Sequence, residues 1–166
     1  QTEIDYSDLT GGLNTITTAV PFLLISPDSK AGAMGDVGVA TTPDANSMHW
    51  NPAKLAFTED DMGASMSYVP WLRALVPDIN LSYLTGYKKL DDNQAIGLEM
   101  RYFTLGDITF TNITGDVVGQ YKPHELALGT SYARKLSRQF SLAISGRYIY
   151  SNLTGGQSAG GVETVA

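Results

Sequence analysis

Few residues able to do chemistry stand at the spacings that chemistry needs. His49 and His124 have no ligand-type partner three or four positions away, the spacing that puts two metal ligands on one helical face. No metal centre is expected. Gly32, Gly35 and Gly38 suggest a phosphate loop at first sight, but the spacing is wrong and no Lys-Ser/Thr pair follows. They read as glycines that allow tight turns. The chain has no cysteine, which removes disulfides, thiolate metal sites and a lipid-modified amino-terminal cysteine. With no catalytic constellation in sight, no enzyme activity and no cofactor are expected. The remaining charged candidates are Glu99, Arg101, Glu125 and Arg147, which alternation places on one common strand face. Ion pairing across an enclosed interior is favoured for them over ligand contact.

The elements that would carry these residues come in two textures. Residues 1–61 show no sustained period and are rich in Gly, Ser, Thr, Asp, Asn and Pro, the turn and cap formers. Short helical turns are expected at Lys30–Met34 and Met48–Leu55. The segment also carries Phe22, Leu23, Leu24, Ile25, Met34, Val37, Val39, Trp50 and Leu55, more apolar surface than a disordered tail keeps. It is expected to pack inside something larger.

From Met62 to the end the texture becomes alternation with period two. Five strands are expected. Met62, Ala64, Met66 and Tyr68 begin the series. Ile79, Leu81, Tyr83, Thr85 and Tyr87 then oppose Asn80, Ser82, Gly86 and Lys88. Ile96, Leu98, Met100 and Tyr102 oppose Ala95, Gly97, Glu99 and Arg101. Leu126, Leu128, Thr130 and Tyr132 oppose Glu125, Ala127, Gly129 and Ser131. Phe140, Leu142, Ile144, Tyr148 and Tyr150 oppose Ser141, Ala143, Ser145 and Arg147. A soluble sandwich alternates in the same way, but its strands average five or six residues. Three of these run to about ten, the length a tilted strand needs to cross a bilayer. The second face, small or charged, suits a crowded polar lumen.

Composition agrees with either class: 166 residues, 43% hydrophobic, 17% charged, with mean hydropathy -0.08. No apolar run reaches the roughly 18 residues of a transmembrane helix. The net charge of -6 argues against nucleic acid, because no basic stripe is present to neutralise phosphates. Gln1 reads as a mature terminus left by signal-peptide removal.

Connections separate into tight turns at Asp91–Asn93 and Ser137–Arg138 and long ones at Val69–Asp78, Gly106–Pro123 and from Asn152 onward. Short turns on one side and long loops on the other is the outer-membrane barrel pattern. With the short turns periplasmic, Tyr87, Tyr132 and Phe140 fall near the periplasmic ends, and Tyr68, Tyr102, Tyr148 and Tyr150 near the outer ends. Two aromatic girdles result. Leu142→Arg, taken as mid-strand on the lipid face, is expected to cost about 2–4 kcal/mol. Five strands cannot close a barrel, since bacterial ones begin at eight, so a fragment of a longer protein is expected. In the long loop Val69–Asp78, Trp71, Leu72 and Leu75 are costly to leave in water. They are a partner-binding candidate, or Trp71 simply joins the outer girdle; Phe110 marks a second candidate loop.

The stretch Ser26–Leu55, with Asn51-Pro52-Ala53 and then Leu55 shortly before the first strand, resembles the hatch of the FadL-like barrels. Within that group, Ala19–Ser26, Pro27–Val39 and Asn46–Leu55 look most like the PorV proteins of Bacteroidota type IX secretion. The resemblance implies an all-β fold, a fourteen-stranded transmembrane antiparallel β-barrel with an amino-terminal loop-rich hatch. Residues 1–61 would be the arm and hatch and 62–166 the first, incomplete part of the barrel, with Asn51, Pro52 and Ala53 as hatch anchor. It also implies an outer-membrane location and a role without enzymatic activity. Such proteins receive cargo by a carboxy-terminal signal domain after its passage through the SprA (Sov) translocon. They then deliver it to an attachment complex that includes PorU. The alternative is a FadL-type channel for hydrophobic small molecules. A channel should have an apolar lumen, whereas the inward positions here are small or charged.

Overall fold

The computed structural model describes residues 20–70, 78–112, 114, 116–154 and 157–165. After a 3-10 turn at Pro21–Leu24, two short helices follow, α1 (Ser29–Ala33) and α2 (Ser47–Trp50), and then a 3-10 helix at Pro52–Phe57. Local capping explains them. Asp28 accepts a side-chain hydrogen bond from the Ala31 N–H at the start of α1. Asn51 does the same for the Ala53 N–H at 3.1 Å, with Pro52 at the position where a missing N–H costs nothing.

Among the described residues eight strands follow: β1 (Met62–Pro70), β2 (Ile79–Asp91), β3 (Gln94–Leu105), β4 (Ile108–Thr111), β5 (Val117–Tyr121), β6 (His124–Lys135), β7 (Ser141–Thr154) and β8 (Gln157–Val165). Six form one antiparallel sheet in the order β1-β2-β3-β6-β7-β8, and β4 pairs with β5 alone. The expected count of five strands is therefore too low. The loop Gly106–Pro123 contains the β4–β5 hairpin, whose turn is held by the Asn112 side chain accepting from the Thr114 and Asp116 N–H groups. The tail from Asn152 is no long loop. β7 runs on to Thr154 and pairs with β8. β8 carries Gly160-Gly161 and little alternation, so it gives no sequence signal; backbone pairing with β7 and the Glu163 side chain hold it.

One face of the sheet is covered by the amino-terminal segment. Near the short turns, Met48, Leu55 and Ala56 pack on Tyr87, Ala95 and Ala133. At the long-loop end, Phe22 packs on Ala127 and Ile149 and stacks on Phe103 at 6.3 Å between centroids. Gly97 makes the close approach possible: a Cβ there would lie 2.3 Å from Met48 Sδ and 2.7 Å from Leu55 Cδ1.

The other face stays exposed and apolar. Met66, Leu84, Leu98, Met100, Leu128, Ile144, Tyr148 and Val162 all point outward. In β2 the expected facing is inverted. Leu81, Tyr83, Thr85 and Tyr87 point at the amino-terminal segment, and Leu84 points out. Both parities of this strand carry apolar residues, so alternation alone could not choose between them.

Candidate functional site

The inner face is organised around the charged residues of β3, β6 and β7. Arg101 is 2% exposed. Its Nη1 donates to the carbonyls of Phe22 (3.2 Å), Leu23 (2.8 Å) and Ile25 (3.4 Å), and its Nη2 donates to His49 Nδ1 at 2.8 Å. One guanidinium thus ties the turn at residues 22–25 to His49 of α2. The fork geometry of arginine suits this, because five donors radiate in one plane from a single buried group. The Tyr83 ring lies beneath it at 5.2 Å.

One step along the strands, Glu99, Gly129, Arg147 and Glu163 occupy one register row across β3, β6, β7 and β8. Arg147 pairs with Glu99 at 2.7 Å and Glu163 at 2.8 Å, and Tyr83 Oη donates to the second Glu99 oxygen at 2.9 Å. Gly129 leaves the space for this pair, since a Cβ there would sit 2.6 Å from Glu99 Oε1. Glu125, also buried, accepts from Ser151 Oγ at 2.8 Å. All four predicted inward charges lie on this face. Ion pairing joins only two of them, Glu99 and Arg147. Arg101 holds backbone carbonyls instead.

Asn51, Pro52 and Ala53 stand where the segment meets the sheet. The Ala53 carbonyl accepts from Ser141 Oγ of β7 at 2.8 Å. Next to them, buried Lys54 donates to the Gly38 carbonyl at 2.7 Å and to Thr41 Oγ1 at 3.0 Å. The glycine run is therefore folded back onto Lys54. Two further ties reach β2: Thr85 Oγ1 donates to the Ala45 carbonyl, and Lys89 Nζ to the Thr58 carbonyl.

His49 is the group whose protonation this arrangement controls. Burial, then the Arg101 and Arg147 charges, lower its pKa from 6.5 to about 3. The unfolded histidine takes up a proton near pH 6.5, while the folded one resists until about pH 3. Its contribution is therefore complete above pH 6.5 and lost as pH falls through that window, by roughly 1.4 kcal/mol per unit. We expect the amino-terminal segment to become protease-sensitive between pH 7.5 and pH 5 in the intact protein. His49→Gln should flatten that dependence, as read by limited proteolysis.

A family model described as "Type IX secretion system protein PorV" matches residues 10–164. The chain belongs to the PorV family. As a member of that family it is a type IX secretion system component. No curated protein matches the chain.

The remaining candidates for a PorV-type role lie on the outer face and at the long-loop end. Tyr68, Tyr102 and Tyr148 are exposed on the outer face toward the long loops, and Tyr150 is half-buried beside them. Tyr132 and Phe140 are exposed near the short turns. Tyr87 must be removed from that girdle. Tyr87 is 9% exposed, and its ring fills the inner-face space left by Gly63, in one cluster with Met48 and Leu55. Trp71, Leu72 and Leu75 lie outside the described residues. Phe110 is in β4, its backbone opposite Gly119.

Sequence reasoning missed the contact between Arg101 and His49, which are 52 residues apart. No local signal could have found it. It also missed the surface at the long-loop end, where the Tyr121 hydroxyl of β5 donates to Asn152 of β7. Ile108, Val117 and Leu153 are exposed there. Among the described residues no three His, Asp or Glu side chains come together as a metal-ligand set, and no helix is long and apolar enough to cross a membrane.

Proposed function

We propose that the chain is the front part of an outer-membrane β-barrel, with residues 1–61 as arm and hatch and 62–166 as the first barrel strands. It acts as a non-enzymatic secretion adaptor. It docks on the SprA (Sov) translocon, accepts cargo by its carboxy-terminal signal domain and passes it to the attachment complex that includes PorU. Membership of the PorV family carries this reading. Two features of the fold support it. The exposed apolar face suits a lipid bilayer and is too extensive to leave in water. The inner face is filled by a segment held through Arg101, Lys54 and backbone carbonyls, with Asn51, Pro52 and Ala53 as its anchor. That favours an adaptor over a FadL-type channel, which needs an apolar route inside.

In this reading the loop with Trp71, Leu72 and Leu75, together with the β4–β5 hairpin around Phe110, faces outward and meets protein partners. Trp71→Ala combined with Leu72→Ala is expected to weaken co-purification of translocon or cargo by about tenfold while leaving the barrel folded. Unchanged co-purification would sink that assignment. The adaptor role itself is tested in cells lacking the full-length protein. A reporter with a carboxy-terminal signal domain should accumulate in the periplasm while uptake of hydrophobic solutes stays normal. The opposite pair of results would move the reading to the channel.

A further inference from the structure

Between the two short turns lies an open polar cleft of about 690 Å³, lined by Asp91, Asn93, Gln94, Arg134, Lys135 and Arg138 among others. Arg134 and Arg138 meet there, and Lys135 also lines the cleft, but strand alternation turns its side chain to the opposite face from Arg134. Among the described residues none of the three lies within ion-pair distance of a carboxylate. Lys135 rests over the Phe57 ring at 4.9 Å. Of the acids in the adjoining turn, Asp91 lines the cleft and Asp92 stands next to it, and the Asp91 carboxylate already accepts from the Asn93 N–H and the Gln94 amide. The cleft therefore has an unspent positive charge. Beside it the exposed apolar face begins, with Ile96, Tyr132, Phe140, Leu142 and Ile144 outward, and Lys88 exposed on the same face and in the same row as Ile96 and Tyr132. Tyr132 donates its hydroxyl to Gln94 in the cleft wall, so the polar and apolar parts are continuous.

We infer that this cleft binds the phosphate ester of an anionic glycerophospholipid, whose acyl chains lie along the outward apolar face. Arginine forks match phosphate oxygens in pairs, and cations at a membrane surface attract acidic lipids. A free phosphate would satisfy the cations but would leave the adjoining apolar wall without a role. The inference rests on the outward face being the lipid face, with the short turns at the periplasmic leaflet. It adds a specific lipid to that reading. Held there, the lipid would brace the two turns where Phe57 and the end of the amino-terminal segment also attach.

The test uses the full-length protein in zwitterionic detergent. Retention of dioleoyl phosphatidylglycerol and of dioleoyl phosphatidylcholine is read by native mass spectrometry, with glycerol 3-phosphate as soluble competitor. The wild type should retain phosphatidylglycerol selectively. Arg134→Gln with Arg138→Gln should lower that retention by about tenfold, and the paired lysine substitutions should restore part of it. Heat-modifiable migration on gels reports folding of each variant. If the double variant fails to fold, Arg138→Gln alone, in the exposed turn, should still lower retention. Equal retention by wild type and folded variants overturns the site. Competition by millimolar glycerol 3-phosphate as effective as by the lipid overturns the lipid and leaves a soluble anion site. A wild type that does not insert into phosphatidylcholine vesicles overturns the membrane reading, and the lipid site with it. A wild type that inserts without lipid selectivity overturns the site alone.

Discussion

Leu98→Arg is expected to destabilise the folded protein by about 2–4 kcal/mol in a bilayer, the cost of arginine near the midplane of a barrel's lipid face. Leu98 is 63% exposed and lies in the middle of β3, paired with Gly86 on one side and Thr130 on the other. Leu142, which alternation suggested for the same test, is the second residue of β7. It therefore sits at the short-turn boundary, where arginine should cost roughly 0–1 kcal/mol. The comparison is read from urea unfolding in phosphatidylcholine vesicles. In a water-soluble sandwich an exposed leucine replaced by arginine would be neutral or favourable. Equal, small effects at Leu98 and Leu142 would mean that no depth profile exists and that this face is not in lipid.

Arg101→Met should release the amino-terminal segment from the inner face at a cost of about 3 kcal/mol. The methionine keeps much of the side-chain volume but gives no donor. The carbonyls of Phe22, Leu23 and Ile25 then lose their charged partner, as does His49 Nδ1. Buried acceptors left unpaired cost about 1–3 kcal/mol each before relaxation. The expected signature is rapid proteolysis around Pro21–Leu24 with the strands still protected. Arg101→Lys should recover only part of the protection, because one ammonium cannot serve the carbonyls at Nη1 and His49 at Nη2 together. Wild-type protection in Arg101→Met would show that packing of Phe22 on Ala127 and Ile149 suffices without the guanidinium.

How much was legible varied from strand to strand for physical reasons. β1, β3, β6 and β7 could be placed and faced from alternation, since their inward positions are small or charged and their outward ones large and apolar. β2 could be placed but not faced. Tyr83 and Tyr87 look like outward residues until the amino-terminal segment supplies His49 against Tyr83 and Met48 and Leu55 against Tyr87. β8 was hidden because Gly160-Gly161 carries no pattern, and β4–β5 because four- and five-residue strands leave too short a period to read. Asn51, Pro52 and Ala53 stand out by their resemblance to the FadL-like hatch; the capping bond that shapes their turn spans two residues. The Arg101 contacts span 52 to 79 residues and appear only when the fold brings them together.

The chain is a type IX secretion system component, and in the proposed function it serves secretion by binding other proteins from within the outer membrane. Affinity purification of the tagged full-length protein from detergent-solubilised outer membranes, read by mass spectrometry, tests it most directly. The account predicts recovery of a very large translocon barrel together with proteins sharing a carboxy-terminal signal domain. Recovery of the barrel alone, carrying fatty acid or another hydrophobic small molecule, would contradict it.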